Sequence, residues 1–525
     1  MEKGILGLKT DPKNKVLYFV NGGNWPSDDS GDATYIPGLE TSPENAAVPL
    51  QTQEMITKAN EKKRKKRKPK DDKSPKKQKT THCTTFNLPD EVSDAPSYWG
   101  TASPPEILIK IFKLVIRTDG VLFLQRAAKV CTLWERATYD SSLWETVDMS
   151  LSKVKNEEKF IWLCKNRLSH VKELNLSKWG VPVTPRGIKA VIENCPHLTN
   201  INLSGCKKLS AADVKLLADN CVHLSKIDLS HIAHYSRAVN PVSHLSLKYL
   251  MSKLGKNIVY FSMANNTVTG VPMIFNCISE QCPRLQALDF SNVQTTNRDV
   301  ITLNIEKLQE GCPNLQILRL ANTSIRLANV PLHLQVSTRG FPKLKELSIA
   351  GKGDGFISTI EDSGLDRILK SSEELQLLDV RGCKRITTSS LIRIPAWNLQ
   401  SLFLSQCPAA MDAQLELVMQ KWKHSLIEVD LSWNNHINQA IDLAITALTV
   451  DPETSKLVFM DLCGSSVTFE SVKKVLSKCL LLRKLNLTSC RGLPRGMKRA
   501  YADEELDQLR EDIESEKFVQ YDEIT

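Results

Sequence analysis

No run of eighteen apolar residues occurs anywhere in the 525-residue chain, so neither a membrane-spanning helix nor a membrane partner is expected. The opening residues, MEKGILGLKTDPK, hold no long apolar stretch and no small-residue cleavage site, so no secretory signal is expected. Fourteen cysteines without such a signal imply free thiols in a reducing compartment. None of them forms a Cys-x-x-Cys pair, which leaves no RING-type spacing and no expected metal. Also missing are Gly-x-Ser-x-Gly, His-Glu-x-x-His and a Gly-Lys-Ser/Thr phosphate loop. The glycine-rich Gly351-Lys352-Gly353-Asp354-Gly355 lacks a helix-opening context and reads as an exposed loop. No catalytic residue, no cofactor and no enzymatic activity is expected.

Net charge is also absent once one run is set aside. The formal charge is +10, but residues 58–79 alone hold thirteen Lys or Arg and three Asp or Glu, and 56 basic and 56 acidic residues remain outside them. The rest of the chain is neutral, so no specific nucleic-acid partner is expected. The run itself contains Lys62, Lys63, Arg64, Lys65, Lys66, Arg67 and Lys68. It reads as a nuclear localisation signal, a flexible cationic peptide for the acidic groove of an import receptor, with a solvated charge run or a nonspecific RNA contact as the alternative. The expected location is the nucleus, with the cytoplasm as second choice. Phosphorylation at Ser74, which precedes Pro75, would add about two negative charges and weaken import. Residues 1–97 as a whole have the composition of a disordered basic arm. Within them Val16-Leu17-Tyr18-Phe19-Val20 is strand-like, either a docking peptide or incidental.

What is there begins at residues 99–144. Pro104 and Pro105 stand where a helix can begin, and Ile107, Leu108, Ile111, Phe112 and Val115 follow at helical spacing. A second helical pattern carries Leu122, Phe123, Ala127, Val130, Cys131 and Trp134, and the segment leaves through Leu143-Trp144. Fewer than fifty residues bury too little surface to be robust alone, and these are too apolar to be left in water, so another surface must cover them. The order Pro-x-Glu-Ile-Leu, an apolar pair, Val-Cys-x-x-Trp and Leu-Trp resembles the F-box, the helical module that docks on the adaptor Skp1 in cullin-type ubiquitin ligases.

From about residue 145 to 500 apolar residues recur at i, i+3 and i+5. The starts are Val171, Leu198, Leu224, Ile258, Leu285, Leu315, Leu344, Leu375, Leu399, Leu426, Leu457 and Leu482, 24 to 34 residues apart. This is the leucine-rich-repeat signature, one short strand per unit, and Trp144, Val147 and Met149 predict one more strand before it. Between strands lie helical patterns capped by Thr or Ser, such as TPRGIKAVIENCPHL and SAADVKLLADNCVHL. Cys195, Cys221, Cys282, Cys312 and Cys479 recur just before strands, and Cys206, Cys383, Cys407 and Cys490 just after, as small buried hydrophobes would. The tail has ten acidic and two basic residues from Ala502 on, with Leu506, Leu509 and Ile513 on one helical face, either a cap for the last repeat or an acidic interaction tail.

The expected fold is an α/β solenoid, a leucine-rich-repeat horseshoe preceded by a small three-helix F-box and a disordered N-terminal arm. Its divisions are 1–97 (basic arm), 98–145 (F-box), 146–500 (repeats) and 501–525 (acidic cap or tail). The combination is similar to the family of F-box and leucine-rich-repeat proteins, and the resemblance covers about 98–500. It implies a substrate-recognition subunit of a Skp1–cullin–F-box ubiquitin ligase. Partner subunits, the cullin–RING core, would supply the chemistry, and this chain would supply proximity for a protein substrate marked for proteasomal degradation. It implies that Pro105, Ile107, Leu108, Ile111, Phe112, Leu124, Val130 and Trp134 form or support the Skp1 face. On the concave face of the repeats the candidate substrate residues are Tyr260, Ile317, Leu377, Phe403, Asp430, Phe459 and Asp461. Asp residues at equivalent strand positions make an acidic stripe there, or else hydrogen-bond nearby backbone. The alternative function is a nuclear leucine-rich-repeat scaffold acting outside any ligase.

Overall fold

The computed structural model describes residues 103–150, 156–177, 184–232, 243–295, 299–351, 359–434, 439–515 and 518. The basic run, Ser74 and the strand-like patch at 16–20 lie outside the described residues, as does the expected disorder of the arm.

Helix α1 (Pro105–Asp119) begins where the paired prolines put it, with Pro105 in its first turn and Glu106 beside the N-terminal dipole. It ends at Gly120, whose φ of 77° lets its N–H return to the Ile116 carbonyl. Helices α2 (Phe123–Ala127) and α3 (Thr132–Thr138) pack back on it. Phe112 sits at the centre, its ring 5.5 Å from Phe123 and 5.2 Å from Trp134, both edge-to-face. Trp144 closes the module by donating Nε1–H to the Thr138 carbonyl at 2.8 Å. Trp144, Val147 and Met149 are buried in the same core as the first repeats, so module and solenoid share one apolar interior.

Three-residue strands then repeat, and among the described residues fourteen of them form one sheet. It runs from Thr146–Asp148 to Ala500–Ala502 and is parallel throughout except for its last pairing. All thirty-six repeat positions named from the sequence, i, i+3 and i+5 in each of twelve units, are at most 2 % exposed. Each unit presents those three side chains inward and has nothing of its own to cover them, and stacking supplies the cover. Strands lie about 4.8 Å apart while packed helices need about 8–10 Å, so the array bends with its strands on the inside. Ile301–Leu303 and Ile325–Leu327 form a separate parallel pair, an addition to two repeats that the i, i+3, i+5 pattern does not announce.

Local chemistry sets the turns. Ser210 and Asp213 form a reciprocal capping box, Ser243 and Ser246 another, and Thr184 and Thr468 cap their helices. Three residues past the strand end the backbone turns left-handed at Gly205, His231, Asn265, Asn292, Asn322, Gly382, Gln406, Trp433, Gly464 and Ser489. In that conformation the N–H reaches the next repeat, as Gly205 to Ser230 (2.9 Å) and Gly382 to Ser405 (2.8 Å). The buried cysteines also cross between repeats. Cys383 donates to Ile349 at 3.3 Å and Cys490 to Leu462 at 3.0 Å, both carbonyls of the preceding unit. Burial pushes the Cys206, Cys312 and Cys407 thiols up to about 12, which keeps them protonated donors.

At the far end the helix Glu504–Glu514 buries Leu506, Leu509 and Ile513. Arg510 reaches the carbonyls of Leu476, Cys479 and Leu482 at 3.2–3.4 Å, satisfying backbone groups that no further repeat takes up. Up to Glu514 the acidic tail therefore covers the last repeat.

Candidate protein-binding surfaces

Helix α1 is apolar on two faces. One face carries Leu108 and Phe112 into the module core. The other carries Ile107, Ile111 and Leu114, spaced i, i+4, i+7 and therefore aligned, and all three are exposed. Leu114, 62 % exposed, was absent from the sequence-based set although its spacing from Ile107 marks it. Val130, 61 % exposed, follows α2. Pro105 is exposed at the start of α1.

The eight residues assigned by resemblance thus divide. Pro105, Ile107, Ile111 and Val130 are on the surface. Trp134 is half-buried against Phe112. Leu108, Phe112 and Leu124 are buried, so they support the face from inside the module. An amphipathic pattern marks apolar positions, but not which of two apolar faces the neighbouring helices cover.

The concave face divides in the same way. Strand pairing puts Tyr260, Ile317, Leu377 and Phe459 in one row and Phe403, Asp430 and Asp461 in the row two residues on. Tyr260, Ile317, Phe459 and Asp461 are partly exposed. Leu377, Phe403 and Asp430 are buried, which removes them as open contact points. Arg381 accounts for part of this. Arg381 lies with its guanidinium carbon 5.1 Å from the Phe403 ring centre, its Nε 2.8 Å from Asp379 and its Nη1 3.7 Å from Asp430. Arg319 reaches Glu346 at 2.5 Å and Asp289 at 3.9 Å.

The acidic stripe is therefore largely internal chemistry. Asp228, Asp289, Asp379, Asp430 and Asp461 each accept the backbone N–H two residues on, at 2.9–3.3 Å. Asn175, Asn202 and Asn486 do the same. The position needs a short side-chain acceptor to turn the chain off each strand, and Asp serves as well as Asn. Burial pushes the Asp430 carboxyl up to about 6, with Asp461 adding to the shift and Ser432 and Arg381 opposing it. Asp461 is also raised, chiefly by burial.

Among the described residues no group of three or more His, Cys, Asp or Glu is placed to hold a metal ion, and no helix is long and apolar enough to cross a membrane.

In solved structures the chain is similar to the yeast Rad7–Elc1 complex (16 % identity, TM-score 0.47, covering 74 % of this chain and 90 % of that one). It is also similar to the TLR13–ssRNA13 complex (17 %, 0.36, 62 % and 44 %) and to an internalin, inlF, of Listeria monocytogenes (16 %, 0.31, 57 % and 69 %). Residues 104–150, which span α1 to α3 and the first strand, match the F-box-like family.

Proposed function

We propose that this chain is the substrate-recognition subunit of a Skp1–cullin–F-box ubiquitin ligase. The observation that carries the reading is the exposed row Ile107–Ile111–Leu114 on a segment that matches the F-box-like family. An aligned apolar row on a short, well-packed module is a surface kept for a partner. In this reading Ile107, Ile111, Leu114, Val130 and Pro105 seat Skp1, which brings the cullin–RING core. The repeats hold a protein substrate on their concave side, through partly exposed Tyr260, Ile317 and Phe459 more than through charge. The chain performs no chemistry and raises the effective concentration of a substrate lysine near the conjugating enzyme. The residues 490–501 resemble, in particular, the F-box/LRR-repeat protein numbered six in that family. Import through the lysine run would place the receptor in the nucleus.

The second reading, a nuclear scaffold outside any ligase, explains the lysine run but leaves the apolar row of α1 without a use. Affinity capture from cells under proteasome inhibition separates the two. The full chain is compared with a variant carrying Ile107→Glu, Ile111→Glu and Leu114→Glu. The receptor reading expects Skp1 and cullin to be lost while proteins held by the repeats are retained or accumulate. No cullin with either chain would leave the scaffold.

A further inference from the structure

Where the helical module meets the first repeat there is a cleft of about 550 Å³. Its walls are Leu124, Ala128 and Trp144 from the module and Trp162, Leu163 and Arg167 from helix α4 (Glu157–Arg167). Lys129, Lys159, Glu135 and Glu158 also line the cleft, with Glu158 paired to Arg186 at 3.0 Å, and with Arg167 the lining carries one more positive than negative charge. Its guanidinium carbon lies 3.5 Å from the Tyr139 ring centre and 6.0 Å from Trp144. Its Nη1 is buried without a hydrogen-bond partner, and among the described residues no hydrogen bond or ion pair of this side chain is formed.

Arg167 as a whole is half-buried, but burying the Nη1 N–H groups without an acceptor is costly, and the face of Tyr139 offsets only part of the loss because it accepts no in-plane N–H of the guanidinium. That flat fork is the geometric complement of a carboxylate. The cleft is within the size range of small-molecule sites, and its walls combine apolar and aromatic side chains with charged ones. Trp162, half exposed, offers a flat wall to a ring.

We propose that this seam binds a small organic carboxylate with an aromatic or alicyclic body, the carboxylate on Arg167 and the body against Trp162. Leu124, placed by resemblance in or beneath the Skp1 face, also lines this cleft. The proposal concerns a different surface from the adaptor row on α1, and the titration of the chain alone tests it whether or not Skp1 binds.

Calorimetry on the full chain tests it, with 2-naphthoate as probe and 2-naphthamide, the same body without the charge, as control. The titration is run on the chain alone and on the chain saturated with Skp1. The acid is expected to bind at least tenfold more tightly than the amide in both states. Arg167→Gln is expected to remove that preference, and Trp162→Ala to weaken both probes at least fivefold, which keeps the test decisive if the arginine variant fails to fold. Equal affinities in the unmodified chain, a preference that survives Arg167→Gln, or indifference to Trp162→Ala would overturn the proposal. So would loss of naphthoate binding on adding Skp1, which would make the cleft part of the adaptor seat.

Discussion

Ile107 and Leu108 are neighbours in the chain and meet opposite surroundings: Ile107 is 44 % exposed on the outer face of α1, and Leu108 is 1 % exposed beneath it. The two side chains have the same number of carbons. A helix turns about 100° per residue, so adjacent positions on a helix apolar on both faces can belong one to the core and one to a partner. The pair separates stability from association.

Leu108→Ala is therefore a folding variant. It leaves a cavity in the core of the module, and a buried Leu→Ala change costs about 3 kcal/mol. The expected outcome is a lower thermal midpoint, with chemical denaturation giving the free energy, whereas Ile107→Ala changes either by no more than about 0.5 kcal/mol. Equal effects of the two substitutions would mean that α1 is rotated relative to the core described above.

Gly205 and Gly382 test the turn ladder. Both have positive φ, 78° and 69°, three residues past a strand. A Cβ added at Gly205 meets nothing within 4 Å, while one at Gly382 would lie 2.1 Å from the Gly351 carbonyl oxygen. Gly205→Ala should cost about 1 kcal/mol, the left-handed backbone penalty alone. Gly382→Ala adds a backbone clash to the same penalty and should cost at least twice as much, measured by urea denaturation.

Asp430 gives a pH signature. Its folded-state carboxyl titrates at about 6, above the ordinary unfolded value near 3.9, because burial disfavours the charge. The folded state therefore holds the proton more tightly, and the destabilisation present above about pH 6 is relieved as pH falls from about 6 to 4. Comparing the chain with its Asp430→Asn variant, the unmodified protein should gain about 1–3 kcal/mol relative to the variant between pH 7.5 and 4.5. A flat difference would show that Asp430 titrates like an exposed carboxylate.

The solenoid was legible in the sequence because every repeat solves the same problem with the same three inward side chains. Val171, Leu174 and Leu176 announce the pattern, and Leu482, Leu485 and Leu487 still obey it at the far end. The start of α1 was legible for a different reason, since Pro104 and Pro105 leave little other choice. The partition of its apolar residues was not legible. Leu108 and Ile107 look alike until Phe123 and Trp134 arrive from α2 and α3 to cover one face, and the helical spacing of Leu114 from Ile107 does not say whether that row is covered. The concave stripe misled in part because Asp has two uses. Its spacing is equally that of a charged surface and of a turn-forming acceptor, and Arg381, which neutralises Asp379 and approaches Asp430, lies two residues beyond the strand where the repeat pattern carries no instruction.

The central claim is that the outer row of α1 is an adaptor seat, and calorimetric titration of purified Skp1 into the full chain and into its Ile107→Glu/Ile111→Glu variant tests it most directly. Two central apolar contacts replaced by charges should cost at least about 2 kcal/mol each, so the variant should bind nearly a thousandfold more weakly with an unchanged thermal midpoint. Unchanged affinity in the variant, or no binding by the unmodified chain at micromolar concentrations, would contradict the account.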